Sequence, residues 1–243
     1  MPSRKSTPSH RDTSLVPTLN GRALSARKDT VDFRDKMYVP TLVEVPAERS
    51  LEAFLKHSPL ILDQGREGAC TGFGLAAVAN HLLRIRAGGA FTQVSARMLY
   101  ESAKRNDEWP GETYDGSSAR GAMKGWHKVG VCSEAIWPYD EGKEDRNLNS
   151  KRLIDAQNCP LGAYYRVNHQ DLVAMHSAIT ETGILYGTAM VHTGWSNVKS
   201  NGVIKYHPTV EGGHAFAIVG YDRGGFWVQN SWGAKRGRGG FWH

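Results

Sequence analysis

Residues 70–83, Cys-Thr-Gly-Phe-Gly-Leu-Ala-Ala-Val-Ala-Asn-His-Leu-Leu, run fourteen positions without an Asp, Glu, Lys or Arg. Phe73, Ala76, Ala77 and Asn80 share one stripe at helical spacing, and the first charge comes at Arg84, so this stretch reads as a helix enclosed on most sides. Other elements must pack around it. Helical patterns are expected near 51–56, at 95–104 with Ser95 as N-cap, at 118–129 ending on Gly130, and at 171–180. The pattern then changes period. Residues 184–191, 215–221 and 225–229 read as apolar strands bounded by glycines, with Arg223-Gly224-Gly225 as a hairpin turn. Helices followed by antiparallel strands make an α+β layout, and the seam between the halves is the natural place for a cleft.

A chain of 243 residues can form one catalytic unit, or two small lobes around such a cleft. The net charge of +6 is spread too evenly to point to a nucleic-acid partner. Much of the excess lies in residues 1–36, which hold Arg4, Lys5, Arg11, Arg22, Arg27, Lys28, Arg34 and Lys36 among many Ser, Thr and Pro. That composition predicts a basic, flexible, solvated arm, with residues 37–243 as the folded domain. The arm lacks the apolar core of a secretory signal, and no run of about 18 apolar residues offers a membrane span, so a cytoplasmic protein is expected. Cys70, Cys132 and Cys159 are too few and too irregularly spaced for a disulfide framework or a metal site, and no metal or cofactor is expected.

Cys70 opens the enclosed helix. A helix N-terminus stabilises an adjacent anion by about 0.3–1 kcal/mol, too little to make a thiolate at neutral pH, so an imidazolium partner is required. His214, after Gly212-Gly213 and at the start of an apolar strand, is the candidate. Asn230 ends the next strand beside Trp232; its amide oxygen can accept from one ring nitrogen and leave the other for the thiol.

Gln64-Gly65 followed by Cys70, then Gly-Gly-His-Ala before Val-Gly-Tyr, then Asn-Ser-Trp-Gly, resembles the papain and cathepsin family of cysteine peptidases over roughly residues 31–242. The resemblance implies a papain-like two-lobed fold, with a helical N-terminal lobe, an antiparallel β-sheet C-terminal lobe, and the active site between them. It implies that Gln64 and the Cys70 backbone N–H form the oxyanion hole, and that Trp232 covers the His–Asn pair. It also implies that Asp115-Gly116-Ser117-Ser118 forms a substrate-binding wall, with Gly116, Ser117, Ala215 and Trp232 contacting substrate. Trp137-Pro138-Tyr139 resembles the family's Tyr-Pro-Tyr turn.

The departures are specific. Secreted members carry a disulfide-forming cysteine three residues before the nucleophile, where this chain has Glu67, a carboxylate expected to act on the thiol or on a basic substrate group. The tryptophan usual after the nucleophile is Thr71. No long helical propeptide precedes the catalytic region, so zymogen control by that device is not expected. The sequence stops at Gly239-Gly240-Phe241-Trp242-His243, where the family continues into another strand, which suggests a further C-terminal region or partner domain. The expected activity is that of an endopeptidase acting on protein or peptide substrates through a Cys70 thioester. The alternatives are an inactive papain-fold binding module and a cysteine-dependent acyltransferase or cross-linking enzyme.

Overall fold

The computed structural model describes residues 16–41, 44–109, 115–143 and 145–243. Its helices are α1 (Leu51–Leu55), α2 (Cys70–Ala87), α3 (Ala96–Asn106), α4 (Ala119–Val129), α5 (Ser150–Ala156) and α6 (Leu172–Thr182). Its strands are β1 (Thr18–Leu19), β2 (Arg22–Ala23), β3 (Ala26–Arg27), β4 (Ser117–Ser118), β5 (Leu185–His192), β6 (Val210–Asp222), β7 (Gly225–Gln229) and β8 (Phe241–Trp242).

Helix α2 is the pivot, buried at every position from Cys70 to His81. Its small residues have a steric cause: a Cβ on Gly72 would come within 2.6 Å of the α3 backbone, and one on Gly74 within 3.0 Å of the Phe216 amide in β6. Two elements thus approach α2 from different sides. On one side Phe73, Met98, Leu99, Trp126 and Trp137 build the core of the helical lobe, and Ile184, Ala217 and Val219 of the sheet side join the same cluster. The helix starts are fixed as the sequence predicts. Ser95 accepts from the Met98 N–H at 3.0 Å, Ser118 from Gly121 at 3.0 Å and Asp171 from Ala174 at 3.1 Å.

The second lobe is an antiparallel sheet in the order β5-β6-β7-β8. Strand β6 begins five residues earlier than the apolar run suggests, because Gly212 and Gly213 continue the ladder opposite Val191 and Met190. His214 therefore sits inside a paired strand, opposite Ala189, rather than at a strand's start. Helix α5, absent from the periodicity reading, is a short element capped by Asn149.

The first fifteen residues, with Arg4, Lys5 and Arg11, lie outside the described residues. The rest of the expected arm is packed. Leu19, Ala23, Leu24 and Ala26 are buried, and Asn20-Gly21 turns β1 into β2 with both residues at positive φ, 52° and 75°. Two consecutive positive φ values define the type I′ hairpin turn for which Asn-Gly is the strongest short signal. Averaged over 36 residues, the polar composition concealed this short apolar stretch.

Candidate active site

The start of α2 and the middle of β6 bring Cys70 and His214 to the seam between the lobes, where both are fully buried. His214 Nε2 bonds to Asn230 Oδ1 at 2.9 Å. Because an amide oxygen only accepts, this contact places the ring proton on Nε2 when the imidazole is neutral and leaves Nδ1 as a base. Nδ1 makes no hydrogen bond. The Trp232 ring lies 4.9 Å from the imidazole, centroid to centroid, and is itself buried. The indole thus packs against the imidazole of the His–Asn pair.

Gln64 is also buried, and its side chain is held at both ends. Oε1 accepts from Ser231 Oγ at 2.7 Å, and Nε2 donates to the Glu67 carbonyl at 3.0 Å. The amide group has two N–H bonds, so one remains for an incoming oxygen. Ser231 in turn donates its backbone N–H to Asn230 Oδ1 at 2.7 Å. A single run of hydrogen bonds therefore joins His214, Asn230, Ser231 and Gln64. The Cys70 N–H opens α2, where helix amides have no intrahelical acceptor.

A model of papain family cysteine proteases matches residues 55–243. The chain belongs to that family. A curated relative, an uncharacterized peptidase C1-like protein of Acanthamoeba polyphaga mimivirus, is 24% identical over 98% of this chain and 79% of its own length. Among solved structures, xylellain, a cysteine protease from Xylella fastidiosa, superposes with a TM-score of 0.78 at 27% identity, covering 94% of this chain and 91% of its own. A procathepsin B from Trypanosoma congolense shares the fold with a TM-score of 0.69 at 18% identity, over 90% and 79% of the two chains. The two-lobed α+β architecture is thus that of papain-like enzymes.

In this chain the cleft holds a segment of the chain itself. Residues 24–27 run through it as a strap. Ser25 bridges Gly213 on one wall, while β3 pairs in parallel with β4 on the other, Ala26 opposite Ser117 and Arg27 opposite Ser118. Ser25 Oγ donates to the Gly68 carbonyl at 3.2 Å, and Ala26 packs against Cys70 and Ala215. Both walls must be glycine here: a Cβ on Gly116 would strike the Ser25 carbonyl, and one on Gly213 the Ala26 carbonyl. The strap covers all four residues of the expected substrate surface or their immediate surroundings. Ser117 offers only its backbone, because its hydroxyl lies 2.5 Å from Thr71 Oγ1.

Burial sets the protonation states. It pushes the Cys70 thiol up to about 11, against weaker opposing bonds from backbone N–H groups that include Ala215, Thr71 and Ala26. It depresses His214 to about 4; the Asn230 bond opposes this, and the nearby Arg22 cation of the strap adds to it. Burial thus disfavours both the thiolate and the imidazolium, the two charged forms that a cysteine nucleophile and its partner need.

Several site residues escaped the sequence reading. Arg22 clasps Asp63 in a two-pronged ion pair at 2.5 and 3.1 Å and donates to the carbonyls of Gly65 and Trp232, pinning the strap beside the oxyanion loop. Trp195 stands edge-on to His214, 6.3 Å away, and Ser231 orients Gln64. The Glu67 carboxylate, expected to act on the thiol or on substrate, is instead bound by Arg97 and the Tyr139 hydroxyl. The Asn20-Gly21 pair, a strong hairpin signal, could have pointed to this packed segment.

The strap is also latched farther along. Arg120 at the start of α4 binds Asp35 at 2.6 and 3.2 Å, the Thr30 carbonyl at 2.7 Å, and Glu108. Its backbone N–H donates to Asp29, and Arg166 bonds both Asp29 and Asp35. Losing this buried hub should weaken strap docking by about 1–2 kcal/mol. Arg120→Met is therefore expected to raise the basal rate of turnover about 5–30-fold, measured with a fluorogenic peptide. Acid should act in the same direction. The hydrogen bond from Arg120 holds Asp35 below its ordinary value of 3.8, so the latch is complete above that value and is lost as pH falls through the depressed one.

Proposed function

We propose that the protein is a cysteine endopeptidase held latent by its own residues 24–27. The observation that carries the reading is the His214–Asn230 bond at 2.9 Å, which leaves Nδ1 without a hydrogen bond on a residue whose neighbour Ala215 packs against Cys70. Once the strap withdraws, water reaches the pair, and the proton on Cys70 Sγ can pass to His214 Nδ1. The thiolate attacks the substrate's peptide carbonyl. Negative charge developing on that oxygen meets the free Gln64 N–H and the Cys70 N–H. The tetrahedral intermediate collapses, His214 gives its proton to the leaving amine, and a thioester to Cys70 remains. Water, deprotonated by His214, then releases the acid and restores the thiol.

The backbone edges at Gly116-Ser117 and Gly213 suit an extended peptide, since the strap already pairs with both. A protein or peptide is therefore the proposed substrate, with no nucleic-acid or membrane partner. No helix among the described residues is long and apolar enough to cross a membrane. We place the protein in the cytoplasm, a reading supported by an ion pair at Glu67 where secreted relatives carry a disulfide.

Cys70→Ala tests the assignment. Introduced into the chain carrying Ala26→Arg, where the cleft is vacated, the substitution should leave that parent's thermal midpoint unchanged and lower its peptide hydrolysis by at least about 10⁴-fold, the scale of removing a nucleophile from a working triad. Residual hydrolysis within about tenfold of the parent would end the proposal.

A further inference from the structure

The loop from Gln64 to Cys70 carries both oxyanion donors, and one of its side chains is tied into the helical lobe by a charge. Arg97 of α3 is 2% exposed and meets Glu67 with two parallel bonds, at 2.5 Å and 2.7 Å. Its guanidinium lies 4.6 Å from the centre of the Tyr139 ring, stacked over it. The Tyr139 hydroxyl lies 2.6 Å from the Gln64 carbonyl and 3.0 Å from Glu67 Oε2, and its ring meets Phe73 of α2 edge-on. The backbone carbonyl of the same Glu67 accepts from Gln64 Nε2.

We infer that Arg97, through Glu67 and Tyr139, is a positioning residue for the oxyanion site; this rests on the peptidase reading above. The argument is geometric. The Gln64 side chain can serve an oxyanion only if one N–H is parked on the Glu67 carbonyl and the other aims into the cleft. The position of that carbonyl depends on where the Glu67 side chain is anchored. Secreted relatives hold this loop position with a disulfide, a tie that reduction would cut. Here a bidentate ion pair, stacked and largely removed from water, fixes the same point in a way that thiol chemistry does not touch. The Arg97 guanidinium is taken up by Glu67, Glu101 and the Asp140 carbonyl, so the effect we infer for it passes through the loop to Gln64.

The test uses the intact chain carrying Ala26→Arg, which vacates the cleft, with Arg97→Met and Glu67→Gln introduced singly and each also combined with Gln64→Ala. Three quantities are measured: kcat and KM on a peptide amide, the rate of Cys70 alkylation by iodoacetamide, and the thermal midpoint. A misplaced donor should lower kcat about 10–100-fold while KM and the alkylation rate stay within about threefold. In the Gln64→Ala background, Arg97→Met should cost less than about threefold more, because the group it positions is already gone. Equal losses in both backgrounds, a parallel fall in alkylation, or an unchanged kcat would overturn the inference. If Arg97→Met does not fold, Glu67→Gln, at a residue one-quarter exposed, decides the matter by the same criteria. An Ala26→Arg parent that alkylates but never turns over would defeat the peptidase reading and this inference together; an active parent with unaltered variants defeats this inference alone.

Discussion

Replacing Ala26 with arginine in the intact chain is expected to raise the rate of Cys70 alkylation by iodoacetamide at pH 7 by about 100-fold or more, and to switch on peptide hydrolysis. Ala26 is wedged between Cys70 and Ala215 with 8% of its surface exposed, and its carbonyl lies against Gly213. A guanidinium with three methylenes has no room there, nor a buried counter-ion, so the strap must lift. Lifting changes the protonation of the pair beneath it. With the strap in place the thiol titrates at about 11, whereas its ordinary value is 9.0. Two units alone change the thiolate population at neutral pH about 100-fold. Lifting the strap also lets water reach His214, relieving the burial that is the larger of the two influences holding the imidazole near 4. The imidazolium then becomes available as the thiolate's partner, and the gain should exceed the desolvation effect. The pH profile supplies an independent check: the wild-type rate should climb steadily toward pH 11, while that of Ala26→Arg should already be on a plateau near neutrality. Identical profiles for the two proteins would mean that the strap does not govern the thiol.

The layout of this site was legible from residue types because its constraints are local. Ser95, Ser118 and Asp171 announce helix starts by their own side-chain chemistry, and the uncharged stretch after Cys70 fits only a helix enclosed by other elements. Gln64, Cys70, His214 and Asn230 could be picked out because they match, in order, the motifs on which the resemblance to papain-like peptidases rests. The strap could not be read that way. Its burial depends on two glycine-lined walls, Gly116 and Gly213, that stand 97 residues apart in sequence and come together only in the folded cleft. Arg97 and Glu67 were hidden for the same reason: thirty residues separate them, and a lone arginine on a helix reads as a solvated charge until the loop that it holds is seen against it. The early start of β6 escaped because glycine is depleted in strands, whereas here Gly212 and Gly213 pair fully with β5.

Gln64→Ala, in the strap-lifted chain, should lower kcat about 100–1,000-fold, the usual effect of losing one oxyanion donor, while leaving Cys70 as reactive toward iodoacetamide as in the parent. The two readouts separate because they probe different moments. Alkylation needs only a thiolate, and the Gln64 side chain bonds neither Cys70 nor His214 directly; its contacts are with Ser231 Oγ and the Glu67 carbonyl. Amide hydrolysis must place charge on a carbonyl oxygen, which the Cys70 N–H alone would then carry. KM should change little, since the donor tightens on the oxygen mainly as the tetrahedral intermediate forms. Ser231→Ala should reproduce a smaller part of the loss, because it frees Gln64 Oε1 and lets the amide rotate while keeping the donor present. A reactive thiol alone does not make a peptidase. An amide held at both ends above such a thiol is what a peptidase requires, and if Gln64→Ala left kcat intact, the oxyanion role would belong to another group and the hydrogen-bonded run from His214 to Gln64 would be structural only.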